Sequence, residues 1–185
     1  MDFVFVSGNP ALDLAGTVRS RRDEPVDALA APADLERWVA ACEGLPGRAT
    51  ADFATFESAL SLREALYRLA LDRVLDRPFD PGGLEIVNDA AAGPVPTIKL
   101  SDAGLEMSGD LNAALSQVAR SGIAMLADPH ACLKECGRAR CTRIYLDRSR
   151  GARRTWCGMD ECGNRVKAAA YRARRRATAV GELRP

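Results

Sequence analysis

Five of the six cysteines, Cys132, Cys136, Cys141, Cys157 and Cys162, fall within about thirty residues, and Cys42 stands alone upstream. A reducing cytoplasm disfavours a disulfide framework, and thiols clustered in this way point to metal. The spacing Cys136-x4-Cys141-x15-Cys157-x4-Cys162 sets two pairs on either side of a loop. Such pairs surround a tetrahedral zinc ion with little chain strain. The intervals "GRAR" and "GMDE" each open on glycine, at Gly137 and Gly158, and can each form a tight knuckle. Four thiolates with no open position predict a structural site, and in so small a segment zinc would supply much of the folding free energy. On spacing alone two alternatives stay open. Cys132 or His130 competes for the place of Cys136, and the thiols are otherwise unliganded or redox-active.

The same region is basic. Residues 130–185 hold 15 Lys and Arg against 5 Asp and Glu, whereas residues 1–129 hold 11 against 20, so a net charge of +1 conceals two opposed halves. Arg148, Arg150, Arg153 and Arg154 lie on the loop between the cysteine pairs. Arg165, Lys167, Tyr171, Arg172, Arg174, Arg175 and Arg176 come after the last cysteine on a stretch with helical periodicity. Guanidinium forks match phosphate oxygens, and a tyrosine among them can stack on a base. This set is expected to bind a polyanion, DNA first, with RNA or an acidic protein surface as the alternative. The competing expectation is a solvated face whose charge the acidic half neutralises.

These groups need a scaffold, and its elements are readable. Phe3–Val6 reads as a short edge strand, and "NPALDLAGTVRSR" contains a short helix. "PADLERWVAACE" is amphipathic, with Leu35, Trp38, Val39 and Cys42 on one face, and Gly44 to Gly47 ends it. A long helix is predicted from Ala51 to Leu75, another from Leu84 to Ala92, and a third from Asp110 to Leu126. "VPTIKLSDAGLEMSG" alternates around an Asp102–Gly104 turn, as a β-hairpin does. Trp38 and Phe53 are expected in the core. Beyond Asp128-Pro129, a strand at Arg143–Asp147 should turn at Arg150-Gly151 and return toward Trp156. The final helix should lay Val166, Ala169, Ala170, Ala173, Ala177 and Val180 along one apolar stripe facing the zinc core. The predicted class is α+β. A mainly helical N-terminal domain with a small antiparallel sheet (1–128) precedes a zinc-bound β-hairpin and helix module (129–185).

Function classes narrow accordingly. With His130 as the one histidine, most His-dependent acid–base and nucleophilic schemes lack their usual residue, so no enzyme is expected. No apolar run reaches the length that spans a bilayer, and the first fifteen residues do not read as a signal peptide, so a cytoplasmic protein without membrane partners is expected. Asp13, Thr17, Arg63 and Asn88 are polar positions in apolar segments and form a candidate pocket for a small molecule. For Arg63 and Glu64 the competing expectation is a partly buried ion pair.

The segment "CGRARCTRIYLDRSRGARRTWCGMDECGNRVKAAAYRARRR" resembles the CGNR zinc finger of bacterial proteins, named for the tetrapeptide found here at Cys162-Gly163-Asn164-Arg165. "ALDLAGTV", "PADLERWV", "LREALYRLA" and "DLNAALSQVARSGIAML" resemble the ABATE domain that usually precedes it. The resemblance implies a stress-induced transcription regulator with a DNA-binding finger and a ligand-sensing domain. It places the zinc ligands at Cys136, Cys141, Cys157 and Cys162. One departure is Gly16-Thr17, where the family often has Asn before the threonine.

Overall fold

A computed structural model describes residues 3–46 and 50–181, with side chains as far as Arg175. Short polar side chains start four of its helices. Asn9 accepts the Ala11 N–H at 2.8 Å before α1 (Pro10–Ala15), where Pro10 occupies a first-turn position that needs no donor. Asp52 caps α3 (Phe53–Val74) through Thr55, Asp80 caps α4 (Pro81–Ala91) through Gly83, and Asp110 caps α5 (Leu111–Ala127) through Ala113. α2 (Pro32–Ala41) buries Leu35, Trp38 and Val39.

These helices enclose one hydrocarbon core built on Leu12, Leu35, Trp38, Leu62, Leu66, Leu69, Leu115 and Val118. α5 approaches α3 closely at Gly122, where a Cβ would stand 2.7 Å from Leu66 Cδ2. Phe53 does not join this core. At the first position of α3 it is 67% exposed, because the apolar stripe begins only at Phe56, one turn later.

Three two-stranded antiparallel sheets complete the described residues, two of them in the helical half, where one was expected, and one in the finger. β1 (Val18–Arg19) pairs with β2 (Val26–Asp27), and β3 (Thr97–Ser101) pairs with β4 (Gly104–Ser108). The β3–β4 hairpin turns at Gly104 (φ +108°), and its Ile98, Leu100 and Leu105 are exposed. Ladder and turn hold it, not burial. β5 (Leu133–Glu135) pairs with β6 (Ile144–Leu146) in the register Lys134 to Tyr145. The described residues end in one turn of π-helix (Met159–Gly163) that runs directly into α6 (Asn164–Gly181).

Phe3–Val6 belongs to no strand ladder among the described residues; its continuation contacts the finger, where Leu146 N–H donates to the Ser7 carbonyl at 2.8 Å. β6 therefore sits between two cores. Ile144 and Leu146 point into the hydrocarbon core, and Tyr145 points at the cysteines. The change in charge and chemistry near residue 128 is not a change of core.

Candidate metal centre and basic surface

The two cysteine pairs are brought together by backbone hydrogen bonds that close each knuckle. Cys136, at the end of β5, donates its N–H to the Arg143 carbonyl at 2.9 Å, and Cys141 donates to the Arg138 carbonyl at 2.8 Å. In the second pair, Cys162 and Gly163 both donate to the Gly158 carbonyl at 3.0 Å. Two glycines sit where the knuckles press on neighbouring side chains. A Cβ on Gly163 would meet Met159 Sδ at 2.6 Å, and one on Gly137 would meet Thr155 Cγ2 at 3.0 Å.

As a result the four Sγ atoms of Cys136, Cys141, Cys157 and Cys162 lie within 4.8 Å of one another. Cys141 and Cys157 are 3.9 Å apart, and Cys157 and Cys162 are 3.5 Å apart. A tetrahedral ion with metal–sulfur bonds of about 2.3 Å has edges of roughly 3.8 Å, so the donors fit a zinc-sized ion. Electrostatics agree. Hydrogen bonds from the Cys141 and Cys157 thiols push the Cys136 thiol well below its ordinary pKa, while the same sharing with Cys136 and Cys141 pushes Cys157 far above its own. Burial raises Cys162 to about 12. A bound cation would favour the thiolate form of all four. The four sulfurs form a metal site. Cys132 and His130, the sequence alternatives, stand outside the group, and Cys42 is buried in the hydrocarbon core.

The loop between the pairs is organised by three residues that spacing alone did not single out for this purpose. Asp147, its side chain wholly shielded, accepts from Lys134 Nζ (2.8 Å), Ser149 Oγ (2.6 Å) and the Arg154 N–H (3.0 Å). Lys134 holds its carboxyl well below the usual range. Tyr145 donates its hydroxyl to the Arg154 carbonyl at 2.7 Å, and the Arg154 guanidinium lies over the Tyr145 ring.

Arg154 then donates to the carbonyls of Trp156, Val6 and Cys157. It is a strut of the metal centre, which corrects its expected place among phosphate contacts. The return stretch toward Trp156 makes no ladder with β6; side chains of Asp147 and Tyr145 hold it, and β6 takes the upstream β5 as partner instead. Trp156 is half-buried and packs against the cysteine cluster.

The other members of the predicted phosphate-contact set that the structure describes face solvent. Arg148, Arg150 and Arg153 are exposed on the loop, and Arg165, Lys167, Arg172, Arg174 and Arg175 are exposed on α6 with Tyr171. The side chain of Arg176 lies outside the described residues. The apolar stripe expected to face the metal centre does not do so beyond its first turn. Val166 is half-buried, but Ala169, Ala170 and Ala173 are exposed, and the side chains of Ala177 and Val180 lie outside the described residues. α6 continues directly from the turn carrying Cys162, and its residues from Ala169 to Arg175 are exposed.

Residues 8–129 match the family described as "Putative stress-induced transcription regulator", ABATE, and residues 133–175 match the CGNR zinc finger. The chain belongs to the ABATE family. The two matches lie along the chain in that order, and no curated protein matches it.

Within the ABATE unit the four candidate ligand residues do not converge. Asn88 is exposed on α4, apart from the buried trio, because the turn that carries it buries Val87 instead. Arg63 is 5% exposed and fully engaged, donating to Asp27 Oδ1 at 2.7 Å, Glu64 Oε1 at 2.9 Å and Thr17 Oγ1 at 3.4 Å. It is a buried ion-pair centre. Thr17 donates its own hydroxyl to the Leu14 carbonyl at 2.7 Å. Asp13 accepts the N–H groups of Val6 (3.1 Å) and Ser7 (2.9 Å), and burial raises its pKa. The residue missed was Arg143, buried beside Asp13 and Gly16. Its signal was its place at the head of a strand whose two faces are both covered.

Proposed function

We propose that this chain is a zinc-dependent, DNA-binding transcription regulator whose N-terminal domain senses a small molecule. In this reading residues 1–128 are the sensor, residues 129–185 the finger, and zinc the ion held by the four cysteines. The chain works in the cytoplasm and catalyses nothing. No helix among the described residues is long and apolar enough to cross a membrane.

The observation that carries the reading is α6. From Ala169 to Arg175 every residue is exposed, and the arginines and Tyr171 lie on a helix that runs on directly from the turn carrying Cys162. A helix about 10–12 Å across fits a major groove about 12 Å wide. The exposed arginines of the loop, Arg148, Arg150 and Arg153, extend the same positive surface toward phosphates.

Titration of duplex DNA at several salt concentrations tests it. Affinity should fall steeply with salt, and replacing Arg174 and Arg175 by alanine should reduce the slope by roughly two. Binding that ignores salt would sink the proposal. Tighter binding of RNA or of an acidic protein than of duplex DNA, at one fixed salt concentration, would transfer the finger to the other partner class.

A further inference from the structure

The β3–β4 hairpin carries its apolar residues on one face. Ile98 stands opposite Met107 and Leu100 opposite Leu105, so with alternating side chains the four share one side of the ladder. Thr97, Lys99, Glu106 and Ser108 take the other side, where Lys99 and Glu106 are cross-strand partners. The apolar side is turned outward, with Ile98 63%, Leu100 83% and Leu105 67% exposed. The four polar residues are exposed as well, so neither face is buried under a neighbouring element.

A two-stranded ladder is marginal in water unless its apolar face packs against something. Edge strands, as both of these are, are usually guarded by charge or proline. Here the two charges of the ladder, Lys99 and Glu106, lie on the opposite side from the leucines. The three exposed side chains present on the order of 400 Å² on each copy, the size at which an apolar patch marks an interaction site.

We propose that this face is a dimer interface, two copies of the chain packing hairpin on hairpin about a two-fold axis. The face carries no charge, so it meets its own image without like charges in contact. Two copies together remove roughly 800 Å² of apolar surface, and at the two-thirds apolar share of homodimer contacts the whole interface is about 1,200 Å². That is the lower limit of specific interfaces and suits a dimer of micromolar dissociation constant. A lipid surface is the poorer occupant. The hairpin offers one lysine, and residues 1–129 hold 20 acids against 11 bases, which anionic headgroups repel. The dimer does not depend on DNA; where the reading above also holds, it supplies two copies of α6 for inverted half-sites.

The test is sedimentation equilibrium of the metal-loaded full chain, without DNA, from about 1 to 100 μM. A monomer–dimer equilibrium with a micromolar midpoint is expected, and added salt should tighten it, because two acidic units are brought together. That sign is opposite to the one expected for DNA. Leu100→Thr combined with Leu105→Thr keeps strand-forming residues but strips the face, and should weaken the dimer at least about a hundredfold. Thr97→Asp, on the polar side of the same strand, should leave it within about threefold. Metal content and helix circular dichroism should be unchanged in both variants, since these residues lie outside the hydrocarbon core. A monomer at every concentration, a dimer that survives the double leucine variant, or one lost equally with Thr97→Asp overturns the interface. So does a monomer that floats with neutral phosphatidylcholine vesicles, which gives the face to lipid. Salt-dependent DNA binding by a monomer breaks this inference alone, and a dimer that ignores DNA breaks the other reading alone.

Discussion

The helical unit and the finger are held together by different physics. α3, α4 and α5 surround a core of leucine, valine and tryptophan whose burial drives folding through the removal of apolar surface from water. The finger's own cluster is Cys136, Tyr145, Cys157 and Cys162, with Val6, Cys141 and Trp156 around them. That is too little hydrocarbon to offset the entropy of ordering some forty residues. The metal must provide what carbon provides elsewhere. β6 belongs to both regions, so the two means of stabilisation meet on one strand.

Removing the metal tests this contrast most severely. Structural zinc in isolated fingers contributes roughly 10–16 kcal/mol, so Cys157→Ser or a strong chelator should abolish metal binding and open the finger to protease between Arg138 and Arg165. The helical unit should keep its circular dichroism and a cooperative, though lower, melting transition. Loss of both regions together would show that the strand they share makes them one cooperative unit.

Leu66→Ala attacks the other side. It should cost about 2–5 kcal/mol in urea unfolding while metal content stays unchanged. A smaller effect is expected at the buried ion-pair centre. Arg63→Met leaves Asp27 and Glu64 partly solvated, and should destabilise by about 1–3 kcal/mol in the same assay.

Acid should separate the regions with the gentlest slope. The thiolates take up protons first and release the metal. In the helical unit the Thr55 N–H lowers the pKa of Asp52, and Arg68 together with the Gly83 N–H lowers that of Asp80, both below the ordinary 3.8. Their contribution is present above that value and fades as pH falls through the lowered pKa. The urea midpoint followed by helix signal should therefore decline below about pH 4, and Asp80→Asn should flatten that decline.

The same two regions differ in how far their sequences could be read. The helices were legible because caps, breaks and apolar period agree over long stretches, as in α3 and α5. The metal set was legible because its ligands are close in sequence and chemically distinctive. Phe53 misled because it fits the helical period but precedes the buried stripe. The partner of β6 was hidden for a different reason. Gly151 does turn the chain (φ +74°), but the return stretch beyond it is fastened by Asp147 and Tyr145 side chains, which leave no alternation to detect. Arg154 and Arg143 look like members of a basic run. Only tertiary contact separates the strut and the buried cation from the arginines that meet solvent.

The segment around Val6 and Ser7 carries a consequence for the order of events in synthesis. Its carbonyls accept from Arg154 and from the Leu146 N–H, partners about 140 residues downstream. At roughly 5–20 residues per second, the ribosome leaves this stretch waiting for something like 7–30 s before its partners are made. The helical unit can assemble in that interval, but the stitch that fastens its beginning is tied only when the finger emerges. Ordering of the finger by its metal is therefore also what secures Val6 and Ser7.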